Sequence, residues 1–410
     1  MHVLVINSGS SSIKIQVFNT KPEKLLVSAK LERIGEADGQ LSCHEYSANN
    51  VARKFRKTLT VADHKTGIKH LLTFLSEQRI FSANSNAINR QNNLHAIGHR
   101  VVHGGENFSS PTLIDNHVIV KIREMIPLAP LHNPANLAGI EIMRELYPEI
   151  PQVAVFDTAF FQTLPPHAYR YALPEEMYKK HHVRRYGFHG TSHQFIAKKA
   201  AEHLQQPLNE LKLITLHLGN GASAAAIDNG TCIDTSMGMT PLEGLVMGTR
   251  CGDIDPSIPF YLSRTLKTEL NNIETMLNQN SGLKGLCGVN DMREVHHLAN
   301  DGNENAKLAI DLFCYRICKT IGAYFISLSG LDAVVFAGGI GEHDASIRET
   351  ICNKLSVLGV QLDRQKNINC TRDAYTINSE ESKVKVLVVE TNEALEIARL
   401  VEALIKEKRH

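Results

Sequence analysis

The chain reads as an α/β protein built of two related halves, and three observations predict this. Apolar runs of strand length alternate with segments of helical period along the sequence, the pattern of strands covered by helices. Its 410 residues exceed what one compact core comfortably holds. A strand, glycine-bearing tip and second strand at the start of the chain recur about half a chain later, a sign of internal duplication.

The elements follow in order. Val3 to Asn7 is an apolar run that ends in Ser8-Gly9-Ser10-Ser11-Ser12, and Ile13-Lys14-Ile15-Gln16-Val17-Phe18 then alternates strictly. This predicts a hairpin with a small-residue tip. Ser82 to Asn93 is polar and Asn-rich and reads as a surface loop. Asn133-Pro134 offers a capping side chain and then a first-turn proline ahead of Leu137, Ile140 and Met143, so a helix starts there. Phe156-Asp157-Thr158 sets one acid at a strand end, and Leu164-Pro165-Pro166 marks a domain boundary near residue 160. Thr191-Ser192 reads as the hydroxyl cap of an amphipathic helix through Phe195, Ile196 and Leu204. Leu213 to Leu218, Gly219-Asn220-Gly221-Ala222-Ser223 and Ala224 to Ile227 repeat the hairpin. Asp332 to Ala337 is a buried strand running into a Gly338-Gly339-Ile340-Gly341 turn, with a helix from about Asp344 to Leu355. A last strand, Val384 to Glu390, leads through Thr391-Asn392-Glu393 into the final helix.

Composition excludes some functions. Lys plus Arg number 44 and Asp plus Glu 43, a formal net charge of +1. So even a balance speaks against nucleic-acid and membrane-surface binding, which draw on a basic excess. The first apolar run is four residues long, too short for a signal peptide, and no stretch has the length of a membrane span. Eight scattered cysteines without a CxxC pair predict reduced thiols and a cytoplasmic protein. Cys314 and Cys318, one helical turn apart, read as a packed helix face.

The two hairpin tips and the GGIG turn are places where backbone N–H groups can approach a phosphate with no Cβ in the way. None fits GxxxxGK[ST], and the GGIG turn lacks the dinucleotide spacing, so the two commonest nucleotide motifs are excluded. Arg100, in His99-Arg100-Val101-Val102-His103-Gly104-Gly105, and Arg250, in Gly248-Thr249-Arg250-Cys251-Gly252, sit among glycines rather than on helix faces. Either serves a structural ion pair or holds phosphoryl oxygens, for which a permanently charged fork is suited. His189 and His193 are four apart, but His189 precedes the helix and no HExxH glutamate is present, which argues against zinc. His132 stands at a helix N-terminus, where anions are favoured.

These residues carry a resemblance. Val5-Ile6-Asn7-Ser8-Gly9-Ser10-Ser11-Ser12-Ile13-Lys14 and Leu216-His217-Leu218-Gly219-Asn220-Gly221-Ala222-Ser223 resemble the two signatures of the acetate kinase family. His99 to Gly105, Ala129 to Pro134, Arg185 to His193 and Thr240 to Arg250 also resemble its segments, in its order, across essentially the whole chain. The resemblance implies two duplicated actin-like, ribonuclease H-like domains with the active site in the cleft between them. They would be residues 1–160 with a C-terminal helix of about 394–410, and residues 161–393. It implies ATP or ADP as co-substrate, a Mg²⁺ requirement that Mn²⁺ could meet, acetate as acceptor and a homodimer. By motif position, Asn7 and Glu393 would be the metal-side residues, and Arg100 would bind the acetate carboxylate. His132, His189 and Arg250 would surround the transferring phosphoryl group, with Asp157 the catalytic acid residue. Lys14, His217, Leu218, Gly219, Asn220, Gly221, Asp291, Met292, Arg293, Gly339, Ile340, Gly341, Glu342 and His343 would hold the nucleotide. Val102, Leu131, Phe188 and Pro241 would line the pocket for the acetate methyl. Two departures stand out: Ala394 where the family often has a second Glu, and His343 where it usually has Asn.

Acetate is already a carboxylate at neutral pH, so the expected step is direct in-line transfer, with Asp157 a positioning residue rather than a proton acceptor. The β-branched Val102 narrows the pocket and favours acetate, with a propionate kinase the alternative. A third reading is a nucleotide-switch module with no small-molecule acceptor, against which Arg100 and its apolar neighbours speak.

Overall fold

A computed structural model describes residues 1–9, 11–46, 52–77, 94–130, 132–370 and 374–408. The expected Ser82 to Asn93 loop lies outside the described residues. The chain divides into two units, one of Met1–Phe160 with Asn392–His410, the other of Phe161–Thr391.

The first unit is built on an eight-stranded sheet. Its strands are β1 His2–Ser8, β2 Ser12–Thr20, β3 Glu23–Glu32, β4 Gly39–Tyr46, β5 Ala52–Leu59, β6 Ala96–Val101, β7 Thr112–Leu113 and β8 Gln152–Phe156. They lie in the order β5-β4-β3-β2-β1-β6-β8-β7. The hairpin β1/β2 is antiparallel, with Ser8 opposite Ile13 and Asn7 opposite Lys14. β6 and β8 continue parallel to β1. Successive side chains of β1 point to opposite faces. Leu4 and Ile6 join Ile68, Leu71, Ile142 and Met143, from helices His64–Glu77 and Asn133–Leu146, on one side. Val3 and Val5 join Ile397, Ala398, Val401 and Ile405, from helix Glu393–Glu407, on the other. Both faces are covered, which is why β1 reads as a continuous apolar run. The last helix lies so close to β6 that a Cβ on Gly98 would stand 2.8 Å from Ile397 and 2.9 Å from Val401.

The second unit repeats the plan with β9 Lys212–Leu218, β10 Ala222–Asp228, β11 Thr231–Thr235, β12 Ala333–Ala337, β13 Ala374–Thr376 and β14 Lys385–Val389. The order β11-β10-β9-β12-β14-β13 matches β3-β2-β1-β6-β8-β7 strand for strand. The senses match too: an antiparallel β9/β10 hairpin with His217 opposite Ser223, then parallel β12 and β14, then antiparallel β13. The chain is a duplicated α/β protein.

Three helix starts differ from the reading of the sequence. Helix Asn133–Leu146 begins on His132, and Asn133 is buried. Its amide accepts from His103 N–H at 3.1 Å and donates to His103 C=O at 3.0 Å, satisfying a buried loop whose backbone groups have no ladder. Helix Gly190–Leu204 begins before the expected cap, because His189 is left-handed (φ 60°, ψ 26°) and turns the chain into the helix itself. Gly338 to His343 is a short helix rather than a turn, entered through Gly338 at φ +75°. A Cβ there would fall 2.7 Å from the carbonyl oxygen of Leu218. Asp344 then caps helix Ala345–Lys354, its carboxylate accepting from Ile347 N–H at 3.0 Å.

Candidate active site

In both units the candidate residues collect at the hairpin tip and the C-terminal ends of the parallel strands, where open α/β sheets bind ligands. In the first unit Arg100 is the penultimate residue of β6 and Asp157 follows β8. The Arg100 fork grips the carboxylate on one edge, Nε to Oδ1 at 3.0 Å and Nη2 to Oδ2 at 2.7 Å. Its Nη1 edge faces the Glu393 carboxylate at 3.7 Å. Asp157 is 1% exposed, and burial pushes its carboxyl up from the ordinary value, against the pull of Arg100. For Arg100 burial works toward a lower pKa, but the charges of Asp157 and Glu393 outweigh it and the guanidinium is held well above its ordinary value. Neighbouring backbone is pinned by amides: Val102 N–H donates to Asn136 at 3.0 Å, and Asn136 donates to the Ser8 carbonyl at 2.8 Å. Asn7 and Lys14 face each other across the hairpin, and His132 is the N-cap residue of helix Asn133–Leu146. Leu131 lies outside the described residues.

In the second unit His189 stands beside the second hairpin tip. A Cβ on Gly221 would lie 3.4 Å from the His189 ring and 3.6 Å from Arg250 Nη1. The His189 and His217 rings are 4.4 Å apart, tilted by 34°. Arg250 Nη1 donates to the Pro241 carbonyl at 3.3 Å and touches Met247 Sδ at 3.7 Å. Among the described residues no carboxylate pairs with Arg250, and burial lowers its pKa. Phe188, buried, precedes His189. Ser192, read from sequence as a cap, instead lies 2.8 Å from His217 Nδ1 and 3.0 Å from Thr391 Oγ1.

A cavity of about 800 Å³ opens beside this cluster's strand ends. Gly219, Asn220, Asp291, Met292, Arg293, Gly339, Ile340 and His343 of the expected nucleotide set line it. His217, Leu218, Gly221, Gly341 and Glu342 do not. Glu342 turns to its own backbone, accepting from Gly338 N–H at 2.9 Å and Thr391 N–H at 3.0 Å. The sequence reading missed Asn290, which donates to Asn220 at 3.0 Å, and the His296–Asp344 pair at 2.7 Å, both in the cavity wall. The Asp344 bond raises the His296 pKa above its ordinary value. No motif announces His296, which sits within an ordinary amphipathic helix, Met292–Asn300.

The chain is 52% identical over 407 residues to the acetate kinase of Sulfurovum sp. (strain NBC37-1), covering 99% of each chain. Among solved structures it resembles the Porphyromonas gingivalis acetate kinase (TM-score 0.90, 41% identity, 98% of this chain and 99% of that one). It resembles equally a propionate kinase from Francisella tularensis subsp. tularensis SCHU S4 (TM-score 0.90, 44% identity, 98% and 99%). The duplicated fold is therefore the actin-like α/β fold of these kinases. Residues 2–399 match the model of the acetokinase family, and with the duplicated sheets, the paired glycine tips and the arginines beside them, the chain belongs to that family.

Proposed function

We propose that the chain catalyses reversible transfer of the γ-phosphoryl group of ATP to acetate, giving acetyl phosphate and ADP. Besides family membership, one observation carries the reading: Arg250 is a partly buried guanidinium beside His189 with no carboxylate to balance it among the described residues. An uncompensated buried cation is costly alone and calls for an anionic ligand.

The nucleophile needs no base, since acetate is ionised at neutral pH. The barrier is the mutual repulsion of anions, and preorganised donors lower it, each worth roughly 3–4 kcal/mol when it acts only in the transition state. Arg250 and His189 would take the transferring phosphoryl oxygens. The Nη1 edge of Arg100 would take the acetate carboxylate, with Asp157 fixing the orientation of that fork rather than accepting a proton. Val102, Phe188 and Pro241 would bound the methyl group, and the 800 Å³ cavity would take the nucleotide. Asn7 and Glu393 supply oxygen donors, the set a hard divalent cation such as Mg²⁺ prefers, and Mg²⁺ needs only one or two protein oxygens because it keeps waters and phosphates. When bound, it would neutralise phosphate charge.

The 25-residue helix Glu304–Leu328 exposes Leu308, Tyr315 and Ile326 along one stripe, seven and eleven residues apart. We propose that this stripe joins two copies in a homodimer, and Ile326→Glu is expected to sediment as a monomer. No described helix is long and apolar enough to cross a membrane, and Cys43, Cys232, Cys314 and Cys352 are buried without disulfides. Both agree with a cytoplasmic setting.

The test is incubation with Mg·ATP and acetate, propionate or butyrate, trapping acyl phosphate with hydroxylamine. Acyl phosphate with acetate ahead is the expected result; none from any acid would sink the reaction. The likeness to a propionate kinase keeps that substrate in view. If Val102 sets the size limit, Val102→Ala raises the propionate-to-acetate ratio about tenfold, as one methylene is worth about 1–3 kcal/mol.

A further inference from the structure

Behind His189 runs a buried chain of hydrogen bonds whose members the proposed chemistry does not use. Thr215 Oγ1 on β9 lies 2.7 Å from His193 Nδ1. His193 Nε2 lies 2.8 Å from Ser223 Oγ on β10, and that same oxygen lies 2.9 Å from His189 Nδ1. Thr215, His193 and Ser223 are each wholly buried, at 0% exposure. The fold makes the chain. Thr215 and Ser223 come from adjacent strands of the second hairpin, and His193 lies one turn into the helix that His189 starts.

A chain of hydroxyls and imidazoles that leaves each hydroxyl one bond to give and one to take can be polarised in two senses, because each neutral ring donates from one nitrogen and accepts at the other. In one sense Thr215 O–H donates to His193 Nδ1, His193 Nε2–H donates to Ser223 Oγ, and Ser223 O–H donates to His189 Nδ1. Every hydroxyl hydrogen then has an acceptor. In the opposite sense His193 Nδ1–H points at Thr215, and the Thr215 hydrogen, which has no other hydrogen bond among the described residues, is left without an acceptor at a fully buried position. Buried donors without acceptors are costly, so the first sense wins. A proton on His189 Nδ1 would force the second sense, or leave Ser223 Oγ accepting from both rings with its own hydrogen lacking an acceptor.

We propose that Thr215, His193 and Ser223 form a polarised relay that holds His189 as a neutral imidazole with its proton on Nε2, so that it offers an N–H donor to the transferring phosphoryl group. The three are positioning residues, acting through His189. The inference rests on the phosphotransfer reading for what the donor does, but the tautomer itself is a property of the protein without substrates. Burial, with His217 nearby, holds the His193 pKa down to about 3, so His193 stays neutral as a relay must. Near His189 stand His217, with ring centroids 4.4 Å apart, and the Arg250 guanidinium at the shared Gly221 tip. Both positive forms oppose an imidazolium there.

The test is ¹⁵N–¹H correlation NMR of the histidine rings of the full chain between pH 6 and 8, beside the hydroxylamine assay. In the wild type His189 and His193 are both expected as Nε2–H tautomers that do not titrate in this range. Ser223→Ala is expected to give His189 as a tautomer mixture that gains a titration. It should lower kcat about tenfold while moving the ATP KM little, and Ser223→Thr, which keeps the hydroxyl, should restore the tautomer. Thr215→Val, similar in volume and one hydrogen bond further away, should give a smaller shift in the same direction and serves if Ser223→Ala fails to fold. A wild-type His189 found as Nδ1–H or as imidazolium at pH 7 overturns the relay, as do ring signals unchanged in both variants. A wild type that makes no acyl phosphate overturns the reaction instead, and leaves the tautomer result standing.

Discussion

Arg100 and Arg250 are both guanidiniums set among glycines, yet their electrostatic situations are opposite. Arg100 is neutralised twice over, by Asp157 and Glu393, whereas no carboxylate among the described residues meets Arg250. Arg250→Ala is therefore expected to cut turnover at least about a hundredfold in the acyl phosphate assay, the usual effect of removing one transition-state donor. Near-wild-type turnover would refute its role. Asp157→Asn removes the charge that aims Arg100, so the acetate KM should rise more than the ATP KM, and the rate profile should lose no pH limb. A lost limb would make Asp157 a base after all. Two further histidines tie stability to pH. Burial holds His99 down to about 4 and His193 to about 3, whereas unfolded histidines protonate near 6.5. Between those values the unfolded chain binds more protons, so stability falls as the pH falls, by about 1.4 kcal/mol per pH unit for each histidine. The urea midpoint should drop from pH 7 to pH 5, and less steeply in His99→Asn; a midpoint that rose on acidification would contradict this. The arginines stood out in the sequence by their glycine-rich company, and His189 by the resemblance of its segment to the family's. Ser223 and His193 were not. A serine in a strand of alanines and a histidine on a helix face look like ordinary packing until the fold brings them to one oxygen.

At the scale of elements, the two glycine-tipped hairpins were readable because their apolar runs and turn residues agree, and both form with tight register. Helix starts were less readable. A side-chain cap is a local signal, and at Asn133 and Ser192 tertiary demands claimed the side chains instead. The His189 start could not be inferred from residue type, since a left-handed histidine is uncommon. Close packing was equally silent. Gly98 reads in sequence as one glycine in a strand, but it is the point where helix Glu393–Glu407 meets the sheet. Gly98→Ala should destabilise the first unit by about 1–3 kcal/mol through overpacking, measured as a lower urea midpoint. An unchanged midpoint would mean that the helix shifts without cost.

At the scale of the whole molecule, duplication was legible only as two similar hairpins, while the structure extends it to six strands in matching order and sense. The remaining correspondence is written in strand pairing over long sequence separations, which periodicity cannot report. The first unit also draws on both ends of the chain: helix Glu393–Glu407 supplies one covering face for a sheet whose first strand begins at His2. That arrangement has a consequence during synthesis. Val3, Val5, Phe18, Ala96, Val153 and Val155 emerge from the ribosome hundreds of residues before the segment that shields them. The nascent sheet must wait, one apolar face open, until helix Glu393–Glu407 has been made, while the second unit, contiguous from Phe161 to Thr391, can finish first. A ribosome stalled with residue 391 at the exit should hold a protease-resistant second unit and a protease-sensitive, chaperone-bound first one.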